Sequence, residues 1–213
     1  MNLIMATILL IKLLNTGFKY VVETSKTFNI DESHALKHSM EVFSYTKKIY
    51  DSEIIKNPFL ENQKQLIFMA AIGHDMCDKK YMNEKEGVIR YQKYLNELMT
   101  STDLEIMGKI ISTMSYSKVK VNGYPDLGEY QLAYHIVREA DLLSAYDIDR
   151  CIIYKMYSDN LLYNDALKDA IQLFDTRVFQ MRNDKLFVTE YSKKESFKLH
   201  KEALKNIHNL KTI

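Results

Sequence analysis

The 213-residue sequence holds two prolines, six glycines, two cysteines and no tryptophan. So few turn formers exclude a chain of many short strands, whose hairpins call on glycine, asparagine and proline at fixed positions. Two cysteines, Cys77 and Cys151, have no CxxC partner, which excludes a disulfide scaffold and a thiolate zinc knuckle and fits a reducing, cytoplasmic compartment with both thiols packed. Only five residues are arginine, the net charge is +1, and no basic block is interleaved with aromatics. A groove for polymeric nucleic acid therefore has no electrostatic basis. Residues 3–14 are mostly apolar, but Lys12 interrupts them and no positive charge precedes them. They fail as a signal or a membrane span and read as a buried first helix, with no membrane partner.

What is present suits one helical unit over residues 1–213. Hydrophobic residues make up 46% and charged residues 27% of the chain, enough for a core without disulfides or structural metal. Leu, Met, Lys and Glu dominate and apolar positions recur at helical spacing. These patterns predict an all-α fold with helices at about 3–23, 33–53, 63–77, 84–100, 102–117, 128–157, 160–182 and 193–210. Asp31 and Ser33 read as caps of the second helix. Residues 118–128 contain Asn122-Gly123 and Pro125 and read as a loop.

Four side chains are out of place in this pattern. His74 and Asp75 close an apolar run too hydrophobic for a surface helix, so two polar groups are expected at a buried helix end, where leaving them unpaired is expensive. His38 shares a helical stripe with Val42, Tyr45 and Ile49, and His34 lies one turn earlier on the same side. Asp141 falls on a largely apolar face with Tyr134, Val137, Ser144 and Ile148. Singly, each histidine would more often be a hydrogen-bonded core residue, and Asp141 a partner of Arg138 or Arg150. Together, two imidazoles and two carboxylates from three helices form a ligand set for a borderline or hard divalent ion. His135, His200 and His208 lack that context and read as structural or exposed.

The order of these residues, His38, then His74-Asp75, then Asp141, each in its own helical setting, resembles the HD superfamily of metal-dependent phosphohydrolases, and most of all its small, stand-alone bacterial-type members. Residues 34–42 resemble the family's first-ligand helix. Residues 70–81 resemble its His-Asp helix with a following Asp-x-Lys, and 114–118 and 139–150 resemble its later motifs. The resemblance implies a single HD-domain helical bundle, with the motifs over about 25–160 and C-terminal helices over 160–213. It also implies one divalent cation on His38, His74, Asp75 and Asp141, with Mn²⁺ first and Mg²⁺, Fe²⁺ or Zn²⁺ as alternatives. Asp78 takes the place where relatives set a carboxylate beside the attacking water. His34, Lys80, Arg150 and Arg177 become candidate substrate-phosphate contacts.

The implied activity is hydrolysis of a small phosphorylated metabolite, with a nucleoside triphosphate as the first substrate to try, by a monomer or homodimer. Relatives tend to carry His where this chain has Met114, and Arg and Asp where it has Leu142 and Ser144, so a single metal is expected. Met114 also argues against a di-iron oxygenase, which needs further ligands. A non-catalytic metal- and nucleotide-binding protein is the alternative. Tyr116 and Tyr124 are candidates for stacking on a base, and Lys118 and Lys120 for meeting a triphosphate if their loop closes over the site.

Overall fold

The structure, a computed structural model, describes residues 3–211, which contain ten α-helices and no strand. In chain order these are α1 (Leu3–Phe28), α2 (Leu36–Glu53), α3 (Lys64–Gly73), α4 (Glu84–Leu95) and α5 (Ser101–Thr113). They continue with α6 (Tyr116–Asn122), α7 (Gln131–Ser144), α8 (Ile148–Ser158), α9 (Tyr163–Leu173) and α10 (Glu190–Leu210).

α3 is the centre of the bundle. Every residue from Leu66 to Gly73 is buried, as expected of a helix that is apolar all round. α1, α2, α5 and α7 pack around it, and α2 also lies along α7. This arrangement sets the site, because it brings the start of α2, the end of α3 and the second half of α7 to one place. Gly17 allows α1 to lie close against α3: a β-carbon there would meet the Met69 sulfur at 3.2 Å and an Ile72 methyl at 3.3 Å.

Two buried charges tie the C-terminal segment to the core. Glu139 on α7 accepts hydrogen bonds from the Val188 N–H at 2.6 Å, the Thr189 N–H at 3.1 Å and the Thr189 hydroxyl at 2.6 Å. Arg138 donates to the Leu186 carbonyl at 2.5 Å and pairs with Glu139 at 3.2 Å. Thr189 in turn caps α10, accepting from Ser192 N at 3.4 Å. Every lone pair so engaged reduces the desolvation cost of a fully buried carboxylate.

Several expected boundaries differ. α1 extends to Phe28, and its first turns are not buried: Ile4, Met5, Ile8 and Ile11 are 66, 64, 61 and 54% exposed. Ile4–Phe28 is long and apolar enough, by length and composition, to cross a membrane. Its later face, with Leu13, Tyr20, Val21 and Thr24, lies in the core. The expected loop over 118–128 is helical as far as Asn122, where Gly123 at φ +73° ends α6. That sign of φ is why Gly follows the helix.

The long helix expected over 128–157 breaks after Ser144. Asp147 accepts from Asp149 N at 3.1 Å and so starts α8 afresh. The helix expected over 160–182 leaves α-geometry at Phe174–Val178, a π-helical turn. Asp31 and Ser33 do not cap α2, which begins at Leu36 with no side-chain cap. Asp31 instead accepts from Ser33 N at 2.9 Å, closing a turn ahead of the helix.

Candidate metal centre

His38 projects from the first turns of α2, His74 and Asp75 open the 3-10 turn His74–Cys77 directly after α3, and Asp141 lies on α7. The four meet. His38 Nε2 stands 3.2 Å from His74 Nε2, 3.1 Å from Asp75 Oδ2 and 3.6 Å from Asp141 Oδ1. His74 Nε2 is 3.4 Å from Asp75 Oδ1 and 3.6 Å from Asp141 Oδ1. His38, His74 and Asp141 each offer a ligand atom within 4.8 Å of the others.

These residues fit a divalent cation. The His74 Nδ1–H donates to the Ala71 carbonyl at 2.8 Å, which leaves the Nε2 lone pair for the cluster, the usual way a protein sets the tautomer of a metal-binding imidazole. Asp75 Oδ2 is buried, and although His38 Nε2 is 3.1 Å away it makes no well-aligned hydrogen bond, an expensive arrangement unless a cation meets it. Nitrogen and carboxylate donors together suit Mn²⁺, Fe²⁺ or Zn²⁺, and the carboxylates suit Mg²⁺.

The electrostatics of the cluster are those of mutually dependent charges. Burial alone would lower the His74 pKa, yet the carboxylates of Asp75 and Asp141 hold it well above the usual value. Burial would raise both aspartates, but His74 and His38 keep Asp75 well below the carboxylate range, and they do the same for Asp141. Arg150 adds positive potential, with Nη2 3.8 Å from Asp75 Oδ2.

The cluster opens on a cleft of about 370 Å³. His74, Asp75 and Asp141 line it together with His34, Asp78, Lys80, Arg150 and Arg177, so the expected substrate-facing residues share one opening. Their availability differs. Asp78 sits at the end of the 3-10 turn, with Oδ1 accepting from Lys80 N at 2.8 Å and Oδ2 4.0 Å from Lys80 Nζ. Arg150 is partly engaged as a buttress: Nε donates to the Ser33 carbonyl at 2.5 Å and Nη1 to the Ser144 hydroxyl at 3.1 Å. Arg177 leaves the π-helical turn with its guanidinium 4.4 Å from the Tyr116 ring centroid, and its Nε is buried without a partner. Single π-turns within helices occur disproportionately at functional sites.

His34 is buried and both of its ring nitrogens are engaged. Nδ1 lies 2.6 Å from the Ser33 hydroxyl and 3.1 Å from the Tyr81 hydroxyl, and Nε2 lies 3.0 Å from Lys80 Nζ. Burial pushes its pKa down to about 3, opposed by Asp75 and reinforced by Lys80 and Arg150. With both nitrogens engaged, the ring keeps no free donor facing the cleft.

Of the two lysines expected to meet a triphosphate, Lys118 lines the cleft but is held by Glu84 and by the Ser112 carbonyl at 2.6 Å, and Lys120 pairs with Asp184 at 2.8 Å. Tyr116 lines the cleft, whereas Tyr124 packs against His135 at 4.9 Å and under Arg138 at 4.8 Å. Met114 and Leu142 form an apolar wall with Ile111. Sequence reasoning missed Tyr154, Lys155 and Asp147 as lining residues. Tyr154 lies one helical turn beyond Arg150, a spacing that puts both on one face of α8. Lys155 is occupied by Asp159 at 2.9 Å and Asp169 at 3.3 Å.

In comparisons with known proteins the chain matches no family model, no curated protein and no solved structure.

Proposed function

We propose that the protein is a metal-dependent phosphohydrolase of the HD type acting on a small phosphorylated metabolite, with a nucleoside triphosphate as the first candidate. The observation that supports this most is the cluster of His38, His74, Asp75 and Asp141 at the wall of a cleft that also carries Asp78, Lys80, Arg150 and Arg177. The four cluster residues would hold the cation. When bound, that cation supplies charge stabilisation at a phosphoryl oxygen and acidifies water.

The rest of the work falls to the chain itself. Asp78, a carboxylate lining the same cleft as the cluster, accepts the proton of the attacking water and orients it. The cations of Lys80, Arg150 and Arg177 offset negative charge on the substrate with fixed hydrogen-bond donors, which act more strongly in a partly enclosed cleft than in water. Ile111, Met114 and Leu142 present no polar group, so that wall holds the substrate's less polar part and keeps bulk water from the opposite side. The free thiols of Cys77 and Cys151 agree with a cytoplasmic setting.

The test is release of phosphate or pyrophosphate from a panel of nucleotides and sugar phosphates with Mn²⁺ or Mg²⁺, with Asp141→Ala as the control for contaminating activity. Turnover lost in the variant supports the reading. A chain that binds metal and nucleotide but turns over none of the panel is a binding protein, which the engagement of the cleft-lining Lys118 and Lys155 by acidic side chains would favour.

A further inference from the structure

Asp31 is 5% exposed, caps no helix, and gathers three hydrogen bonds. Ser33 N and the Ser33 hydroxyl donate to Oδ1, the first at 2.9 Å, and the Tyr81 hydroxyl donates to Oδ2 at 2.7 Å. Both hydroxyls also contact His34 Nδ1, at 2.6 and 3.1 Å, and His34 Nε2 stands 3.0 Å from Lys80 Nζ. The direction of every bond follows from chemistry. An ammonium has three donors and no acceptor, so Nε2 must accept from Lys80 and the ring proton must sit on Nδ1. Nδ1–H then donates to the Ser33 and Tyr81 oxygens, whose own protons are already committed to Asp31. The chain of donors thus runs one way, from the Lys80 ammonium through neutral His34 to a buried carboxylate.

We infer that Asp31, Ser33, Tyr81 and His34 form a directional relay that holds the Lys80 ammonium in the cleft as an anion-binding group, which makes Asp31 and Tyr81 positioning residues for a phosphorylated ligand. The inference rests on the phosphohydrolase reading for its choice of ligand. Only one of the ammonium's three protons is used by His34, so two remain for an anion. Lys80 Nζ also lies 4.9 Å from the Tyr154 ring centroid and 4.0 Å from Asp78 Oδ2, which confines it to the side of the cleft where Asp78 stands. A free lysine would lose rotamer freedom on meeting its ligand. One already ordered by the relay loses less, and that difference appears as affinity.

A turn that merely shapes the 31–35 segment would weaken binding whether or not Lys80 is present, so the test is a double-mutant cycle read on binding. Inorganic pyrophosphate is titrated calorimetrically into the full chain in Mg²⁺. Lys80→Met weakens binding about tenfold, the worth of one charge-assisted hydrogen bond. Tyr81→Phe weakens it about threefold in the native background and leaves it unchanged in Lys80→Met, and Asp31→Asn follows the same pattern with a larger loss. Equal losses with and without Lys80, no loss at all, or failure of the unaltered chain to bind pyrophosphate would each overturn the relay.

A second measurement does not involve ligand or metal. The ¹⁵N spectrum of His34 in the metal-free chain carries its proton on Nδ1; a proton on Nε2 overturns the inference even if the variants misfold. Turnover judges the hydrolase reading separately. A chain that couples Tyr81 to Lys80 in binding yet hydrolyses nothing keeps the relay and loses the enzyme.

Discussion

His38 and His74 present Nε2 to Nε2 across 3.2 Å, with Asp75 and Asp141 carboxylates 3.1 to 3.6 Å from these nitrogens. Two imidazoles do not approach edge to edge without something shared between them. A proton serves for one pair at a time, whereas a divalent cation satisfies all four residues together. A metal bound there would compete with protons for the same atoms, so metal-free and metal-loaded chains should differ measurably.

Removing a ligand tests this directly. Added Mn²⁺ at about a hundredfold over its dissociation constant is expected to stabilise the native chain by about 2.7 kcal/mol, or roughly 5–10 °C in Tm for a domain of this size. Asp141→Ala and His74→Ala should abolish the shift. A Tm increase that survives in either variant would place the metal elsewhere.

Asp78 is expected to separate binding from chemistry. Asp78→Asn keeps the turn, since the amide oxygen still accepts from Lys80 N, and should bind metal as before. Its turnover should fall about 10²- to 10⁴-fold, the usual contribution of a positioned acid or base. Unchanged kcat in a metal-loaded Asp78→Asn protein would remove Asp78 from the mechanism.

His135 makes stability depend on pH away from the centre. Burial, with Arg138 beside it, lowers its pKa from 6.5 to about 4. The unfolded chain then binds a proton that the folded chain refuses, so stability falls as pH drops below the unfolded value and stops falling below the folded one. Between pH 7 and pH 5 the loss from this one group is about 2 kcal/mol. Urea midpoints across that range should show it, and His135→Gln should flatten the slope. An identical slope in the variant would mean that other groups carry it.

Gly73 stands immediately before His74, and a β-carbon there would lie 2.1 Å from Cε1 of the buried Tyr91 ring. The ring is held in place by its hydroxyl, which donates to the Met69 carbonyl at 2.9 Å. Gly73→Ala should cost about 1–3 kcal/mol through overpacking and weaken metal binding by displacing His74. Adding Tyr91→Leu should return part of both losses. Strict additivity of the two changes would show that the ring is not the obstacle.

The sequence by itself determined the helical class and singled out His38, His74, Asp75 and Asp141, because both signals are local. Helical spacing and the near absence of breakers need no partner to be read, and a polar pair at the end of an apolar run is anomalous wherever that run packs. Local chemistry also misled where one signal admits two outcomes. Asp31 and Ser33 have the composition of a helix cap and of an Asx-turn alike, and only the position of Leu36 at the start of α2 decides between them. The Asp147 cap that divides α7 from α8 was readable in Asp147-Ile148-Asp149, but the apolar stripe running through it hid the break.

The tertiary structure alone decided which cations are free. Lys118 meets Glu84, Lys120 meets Asp184, and Lys80 meets His34, 46 positions away in the chain. Such pairings depend on how α3 lies against α2 and how α6 lies against its neighbours, and no spacing rule reaches across helices. A side chain's charge is a property of its residue type, while its availability to a ligand is set by whatever the fold places within hydrogen-bonding distance.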